Sequence, residues 1–118
     1  LMELRGEDKL INSVRGIILN QLPFGLPKID AIAKAMDITP RTLQRRLLER
    51  QLKYQVLLDD VRRELARGLI IKPELTLSDV ADYLGFNDQS AFQHAFQRWE
   101  GTTPGKFRKD ELKGVEPF

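Results

Sequence analysis

Apolar residues recur along this chain at steps of three and four, the spacing of one face of an α-helix, and no stretch keeps a strand's two-residue alternation for long. The stripes predict seven helices. The first, over about 7–21, carries Leu10, Ile11, Val14, Ile17, Ile18 and Leu22 on one side, and Pro23, Gly25 and Pro27 end it. The second, about 28–36, has Ile29, Ile32, Ala33 and Met36 as its stripe, and the third runs from 40 to about 50 with Leu43 and Leu47 inward. A longer seam of Tyr54, Leu57, Leu58, Val61, Leu65 and Leu69 predicts a fourth helix over roughly 53–71. At 1.5 Å per residue that is a rod of about 28 Å. The fifth (77–84), the sixth (89–99, with Phe92 and Phe96 inward) and a short seventh ending near Asp110 complete the set.

Start and stop signals agree with the stripes. Thr39-Pro40 offers a hydroxyl to cap free amides and a proline at the first helical position, where its missing N–H costs nothing. Thr76-Leu77-Ser78-Asp79 fits a capping box with aspartate in the usual glutamate position. Asp88 and Thr103-Pro104 open the sixth and seventh helices, and Gly101 stops the sixth. Gly68 is a poor helix former, and its place in the long helix predicts fraying or close packing there. Leu112 to Phe118 read as a frayed tail.

One arrangement occurs twice. Ile29, Ile32, Ala33, Met36 and Ile38 have the same spacing as Leu77, Val80, Ala81, Leu84 and Phe86, and each set is followed by a tight turn and a second helix. That is a helix-turn-helix written in duplicate. The expected fold is all-α, one domain over 1–118: a first lobe of about 7–52, a linker helix of about 53–71 and a second lobe of about 76–110.

Composition narrows the function. The 118 residues are 42% hydrophobic and 31% charged, enough for one globular core. The absence of cysteine excludes disulfides and thiolate metal sites and suits a reducing compartment, so a cytoplasmic location is expected. No apolar run approaches the roughly 20 residues that span a bilayer, and no secretory signal is visible. The chain begins Leu1-Met2, which suggests a fragment of a longer protein or a residue left over from cloning. The net charge of +2 is small, but Arg41, Arg45, Arg46, Arg50 and Lys53 cluster, opposed within that stretch only by Glu49. A local basic face is what a phosphate backbone attracts, although a solvated helix surface has the same composition.

An α-helix fits the major groove, about 12 Å wide, and the first helix of the motif braces it. With Leu43 and Leu47 inward, Arg41, Thr42, Gln44 and Arg45 are free to meet base edges; with Phe92 and Phe96 inward, Gln89, Ser90, Gln93 and His94 are. Arginine suits a guanine edge through two bonds and glutamine suits adenine. Lys34, Arg98, Lys106 and Arg108 are candidate phosphate contacts, with plain surface as the alternative. His94 is the only histidine and lacks metal-binding partners, so neither a metal nor any other cofactor is expected. Asp59-Asp60 point about 100° apart on a helix and suit solvent or Arg62 and Arg63, not shared acid–base work. Trp99 reads as a plug in the core or between helices. No nucleophile–base set, glycine-rich phosphate loop or metal spacing appears, so no enzyme is expected.

The phrases "IDAIAKAMDITPRTLQRRL", "VRRELARGLI" and "LSDVADYLGFNDQSAFQHAFQRWEGTTPGKFRK" resemble the DNA-binding domain of the AraC/XylS family of bacterial transcription regulators. The likeness runs from Lys28 to Lys109 and is most specific at Ala81, Gly85-Phe86, Ser90, Phe92, Ala95-Phe96, Thr103-Pro104 and Phe107-Arg108. It implies two helix-turn-helix lobes joined by a linker helix and reading adjacent major-groove segments of double-stranded DNA. By the same resemblance Arg41, Gln44 and Arg45 correspond to base readers of the first lobe, and Gln89, Ser90, Gln93 and His94 to those of the second. Asp37 stands where the family often has glycine, and His94 where a basic residue is frequent. Regulators of this kind usually carry a further effector or dimerisation domain. A module docking RNA polymerase or a partner regulator is the alternative function.

Overall fold

A computed structural model of the chain describes residues 4–115, with side chains described for 9–113. Residues 116–118, the end of the expected tail, lie outside them. All regular structure among the described residues is helical: α1 (Leu4–Gln21), a 3-10 turn (Leu22–Phe24), α2 (Ile29–Ala35), α3 (Pro40–Glu49), α4 (Tyr54–Ile70), α5 (Leu77–Tyr83), α6 (Gln89–Glu100) and α7 (Pro104–Val115). The seven α-helices match the number and order that the apolar stripes predict. The chain divides into two compact units, Leu1–Val61 and Arg62–Phe118, so the boundary falls inside α4.

In the first unit the stripes of four helices lose their solvent together. Val14 and Ile18 of α1, Ile32 and Ala33 of α2, Leu43 and Leu47 of α3, and Tyr54, Leu57, Leu58 and Val61 of α4 are all buried. Each valine, leucine or isoleucine among them contributes about 1.5–3 kcal/mol by leaving water. The Tyr54 hydroxyl would be an unsatisfied donor there, but it donates to the Pro27 carbonyl at 2.8 Å and ties α4 to the loop before α2.

The core of the second unit gathers Ala66 and Ile70 of α4, Val80, Ala81 and Leu84 around the α5 end, and Phe92 and Phe96 of α6. Phe92 and Phe96 meet at 5.7 Å between ring centroids, and Phe96 and Phe107 at 5.3 Å, both edge to face. Trp99 packs on Phe86 at 6.2 Å, in the plugging role expected of it. The second half of α4 departs from the expected seam: Leu65 and Leu69 are only partly buried, while Ala66 and Ile70 take the deepest places.

Two further expectations are corrected. Leu112 to Val115 are not frayed, because α7 continues through Val115. Gly68 marks neither fraying nor close packing: it lies inside α4, exposed, with nothing within 4 Å of where a Cβ would stand.

Candidate nucleic-acid interface

The two helix-turn-helix units close their turns with the same backbone bonds. In the first, the Ile38 N–H donates to the Ala33 carbonyl at 3.0 Å and the Asp37 N–H to Lys34 at 3.0 Å. In the second, the Phe86 N–H donates to Ala81 at 3.0 Å and the Gly85 N–H to Asp82 at 3.1 Å. Such a reversal needs one residue in the left-handed region. Gly85 takes it at φ 78°, and Asp37 takes it at φ 60°, where aspartate is tolerated but not favoured. The second turn carries one more residue, Asn87, before its helix begins.

Local caps then set the start of each second helix. The Thr39 hydroxyl accepts from the Thr42 N–H at 3.1 Å, and the Asp88 carboxylate accepts from the Ala91 N–H at 2.7 Å. The Thr76–Asp79 capping box that starts α5 is complete, with both bonds at 2.9 Å. Leu43 and Leu47, and Phe92, Ala95 and Phe96, are buried, so they fix which sides of α3 and α6 remain outside.

Each unit thus presents a polar stripe. On α3, Arg41, Gln44 and Arg45 are exposed. Arg45 lies 3.6 Å from Glu49, with the two side chains 61% and 58% exposed. Thr42 is less free than its spacing suggests: it is half-buried, and its hydroxyl accepts from that of Thr39 at 2.9 Å. On α6, Gln89, Ser90 and His94 are exposed and Gln93 is half-buried. Gln97, one turn beyond Gln93, extends this stripe and was not among the expected readers. Its signal in the sequence is the four-residue step from Gln93, which places the two amides on one side of α6.

The candidate phosphate contacts divide. Lys34, in the last turn of α2, and Arg98, in the last turn of α6, are exposed. Lys106 is exposed and pairs with Asp110 at 3.0 Å, one helical turn away. Arg108 is committed inside the fold. Its Nε–H donates to the Ile70 carbonyl at 2.7 Å, and its terminal nitrogen to Leu75 at 2.6 Å and Lys72 at 3.3 Å. These are carbonyls at and beyond the end of α4, which lack intrahelical partners. Arg108 therefore closes the end of α4 with its Nε–H and one terminal nitrogen.

Gln44 also borders an open cleft of about 820 Å³ in the first unit, lined by Leu26, Ile29, Leu47, Leu48, Leu52 and others. The one buried polar side chain of its lining, Tyr54, is already spent on Pro27. Among the described residues no group of histidine, cysteine, aspartate and glutamate could hold a metal ion, and no helix is long and apolar enough to cross a membrane.

Comparison with known proteins places this geometry. The helix-turn-helix domain family matches residues 32–110. The HTH-type transcriptional regulator VirS of Mycobacterium tuberculosis is 38% identical over 105 residues, covering 89% of this chain and 31% of that protein. Among solved structures, a DNA-binding transcriptional dual regulator from Escherichia coli K-12 superposes with a TM-score of 0.82 at 24% identity, over 88% of this chain and 93% of that one. An AraC-type regulator structure from Chromobacterium violaceum gives a TM-score of 0.77 at 16% identity, over 97% of this chain and 99% of that one. This chain spans about a third of the length of the relatives it matches. With the two turns, the two capped helices and these matches together, the chain belongs to the AraC/XylS family of helix-turn-helix regulators.

Proposed function

We propose that the chain is the sequence-specific DNA-binding domain of a bacterial transcription regulator, with α3 and α6 each entering a major-groove segment of double-stranded DNA. One observation carries this reading. Two helix-turn-helix units, each closed by the same pair of backbone bonds, bury the apolar side of the second helix and leave a polar stripe outside, guanidinium and amide on α3 and amide, hydroxyl and imidazole on α6. Arg41, Gln44 and Arg45 would read bases in one segment; Gln89, Ser90, Gln93 and His94, with Gln97, would read the other. Thr42 would contribute through its remaining hydroxyl proton. Lys34, Arg98 and Lys106 would neutralise phosphates, which position the domain without carrying sequence information.

The stripes differ in chemistry. That of α3 is cationic and suits guanine, whereas that of α6 is mostly amide and hydroxyl and suits adenine or a mixed edge. A single chain with unlike readers supports an asymmetric site. The family and the span of about a third of its relatives' length support a whole protein that carries a further effector or dimerisation domain and works in the cytoplasm, on the nucleoid. Docking of RNA polymerase by that whole protein is compatible with this role.

Selection from a random duplex library with the purified chain tests the reading. Enrichment of one asymmetric motif is expected, with affinity that falls steeply between 50 and 200 mM salt, by about tenfold or more for several phosphate contacts. Equal affinity for selected and random duplexes, together with salt-insensitive binding to a protein, would instead identify an interaction module.

A further inference from the structure

Arg62 is a buried charged residue, 8% exposed on the part of α4 that belongs to the second unit. Its Nε–H donates to the Leu84 carbonyl at 3.0 Å, and its guanidinium carbon lies 3.7 Å from the centroid of the Phe86 ring. Leu84 and Phe86 flank Gly85, the left-handed residue at which the chain turns from α5 towards α6. The same Phe86 ring packs against Phe92 at 5.7 Å and Trp99 at 6.2 Å, two residues seven apart and therefore on one side of α6. A single guanidinium thus grips both sides of the turn, and the ring it covers rests along two turns of the helix that presents Ser90, Gln93 and Gln97.

From this geometry we infer that Arg62 is a positioning residue for base reading by the second unit: it clamps the Leu84–Phe86 turn onto α4 and so sets the orientation of α6. The chemistry is particular to arginine. A planar guanidinium donates in its plane and stacks with its face at the same time, whereas a lysine ammonium in that place is a point charge that satisfies one of these contacts only. The inference rests on the DNA-reading proposal, and Trp99, the only tryptophan, provides a reporter of the same turn that needs no DNA.

The test compares Arg62→Lys, Arg62→Gln and Phe86→Leu with the parent 118-residue chain on the duplex that the parent selects. Bases whose preference disappears in Gln93→Ala mark the segment read by the second unit; those lost in Arg45→Ala mark the other. Arg62→Lys is expected to keep its far-UV helix signal and its preference at the Arg45 segment, to lose preference at the Gln93 segment with affinity lower by about tenfold or more, and to alter the near-UV signal of Trp99. Phe86→Leu, which removes only the ring, should reproduce that one-sided loss even if Arg62→Gln unfolds. Retention of both preferences in Arg62→Lys, or equal loss at both segments, overturns the inference. If the parent chain selects no sequence at all, it is the DNA-reading proposal that falls, and an unchanged Trp99 spectrum in Arg62→Lys would then reject the clamp as well.

Discussion

At the scale of single residues, the base reading proposed for the first unit is most sharply tested at Arg45. Its pairing with Glu49 is exposed and long, worth well under 1 kcal/mol, so DNA can take the guanidinium at little cost. Arg45→Ala should therefore weaken binding by about 1–3 kcal/mol and relax preference at one base pair, read by competition among duplexes that differ at single positions. Lys106 and Arg108 were indistinguishable in the sequence, two cations two residues apart. The fold separates them, because Arg108 reaches carbonyls more than thirty residues away that no local pattern announces. Lys106→Ala should lower affinity for every duplex alike and reduce the salt slope by about 1, with stability little changed. Arg108→Ala should do the opposite: a loss of about 2 kcal/mol in urea unfolding, with an unaltered salt slope among the molecules that remain folded. Tyr54 makes a prediction in pH. Burial pushes its phenol from 10.0 up to about 12, so the folded chain keeps a proton that the unfolded chain has released. The stability this contributes is complete below about pH 10 and is lost as pH rises from there towards 12. Urea midpoints across that interval should fall more steeply for the parent chain than for Tyr54→Phe.

At the scale of elements, the helix boundaries were legible wherever the signal is local. The Thr39 and Asp88 caps and the Thr76–Asp79 box each act over three residues, and each forms as its spacing predicts. The left-handed Asp37 was legible for the same reason. Gln51 was not: it also takes the left-handed region, at φ 58°, where α3 ends with the Leu52 N–H donating to Leu47 at 3.0 Å, and a glutamine gives no warning of that. Gln51→Gly should raise stability by roughly 0.5–1 kcal/mol, the relief of a side chain in αL less the added freedom of the unfolded chain. Gly68→Ala should gain a similar amount, about 0.5–1 kcal/mol, because the methyl enters open space on an exposed helical face. Either gain shows as a higher urea midpoint at unchanged m-value. The long seam holds as far as Val61, and beyond it Leu65 and Leu69 pack against the core only partly buried, beside a deeper pair. A three- and four-residue stripe fits Leu65 and Leu69 as well as Ala66 and Ile70, and only packing decides between them. Small Ala66 takes a place in the core, and Arg62, on the same stripe, becomes the clamp on the second turn.

At the scale of the whole molecule, the duplicated apolar pattern carried most of the fold. Because one helix-turn-helix buries only one side of its second helix, the pattern that fixes the core also specifies which residues stay outside. That is why the exposure of most of the candidate stripe, Arg41, Gln44, Arg45, Gln89, Ser90 and His94, is legible in the sequence. What the pattern hides is every contact between distant segments: the Tyr54 bond to Pro27, the Arg108 closure of α4 and the Arg62 grip on Leu84 and Phe86. The central claim is that both stripes read bases. Hydroxyl-radical and methylation footprinting of the chain on its selected duplex, at low ionic strength, tests this most directly. Two protected major-groove segments are predicted, one disappearing in Arg45→Ala and the other in Gln93→Ala. No protected bases, or a footprint indifferent to both substitutions, would contradict it.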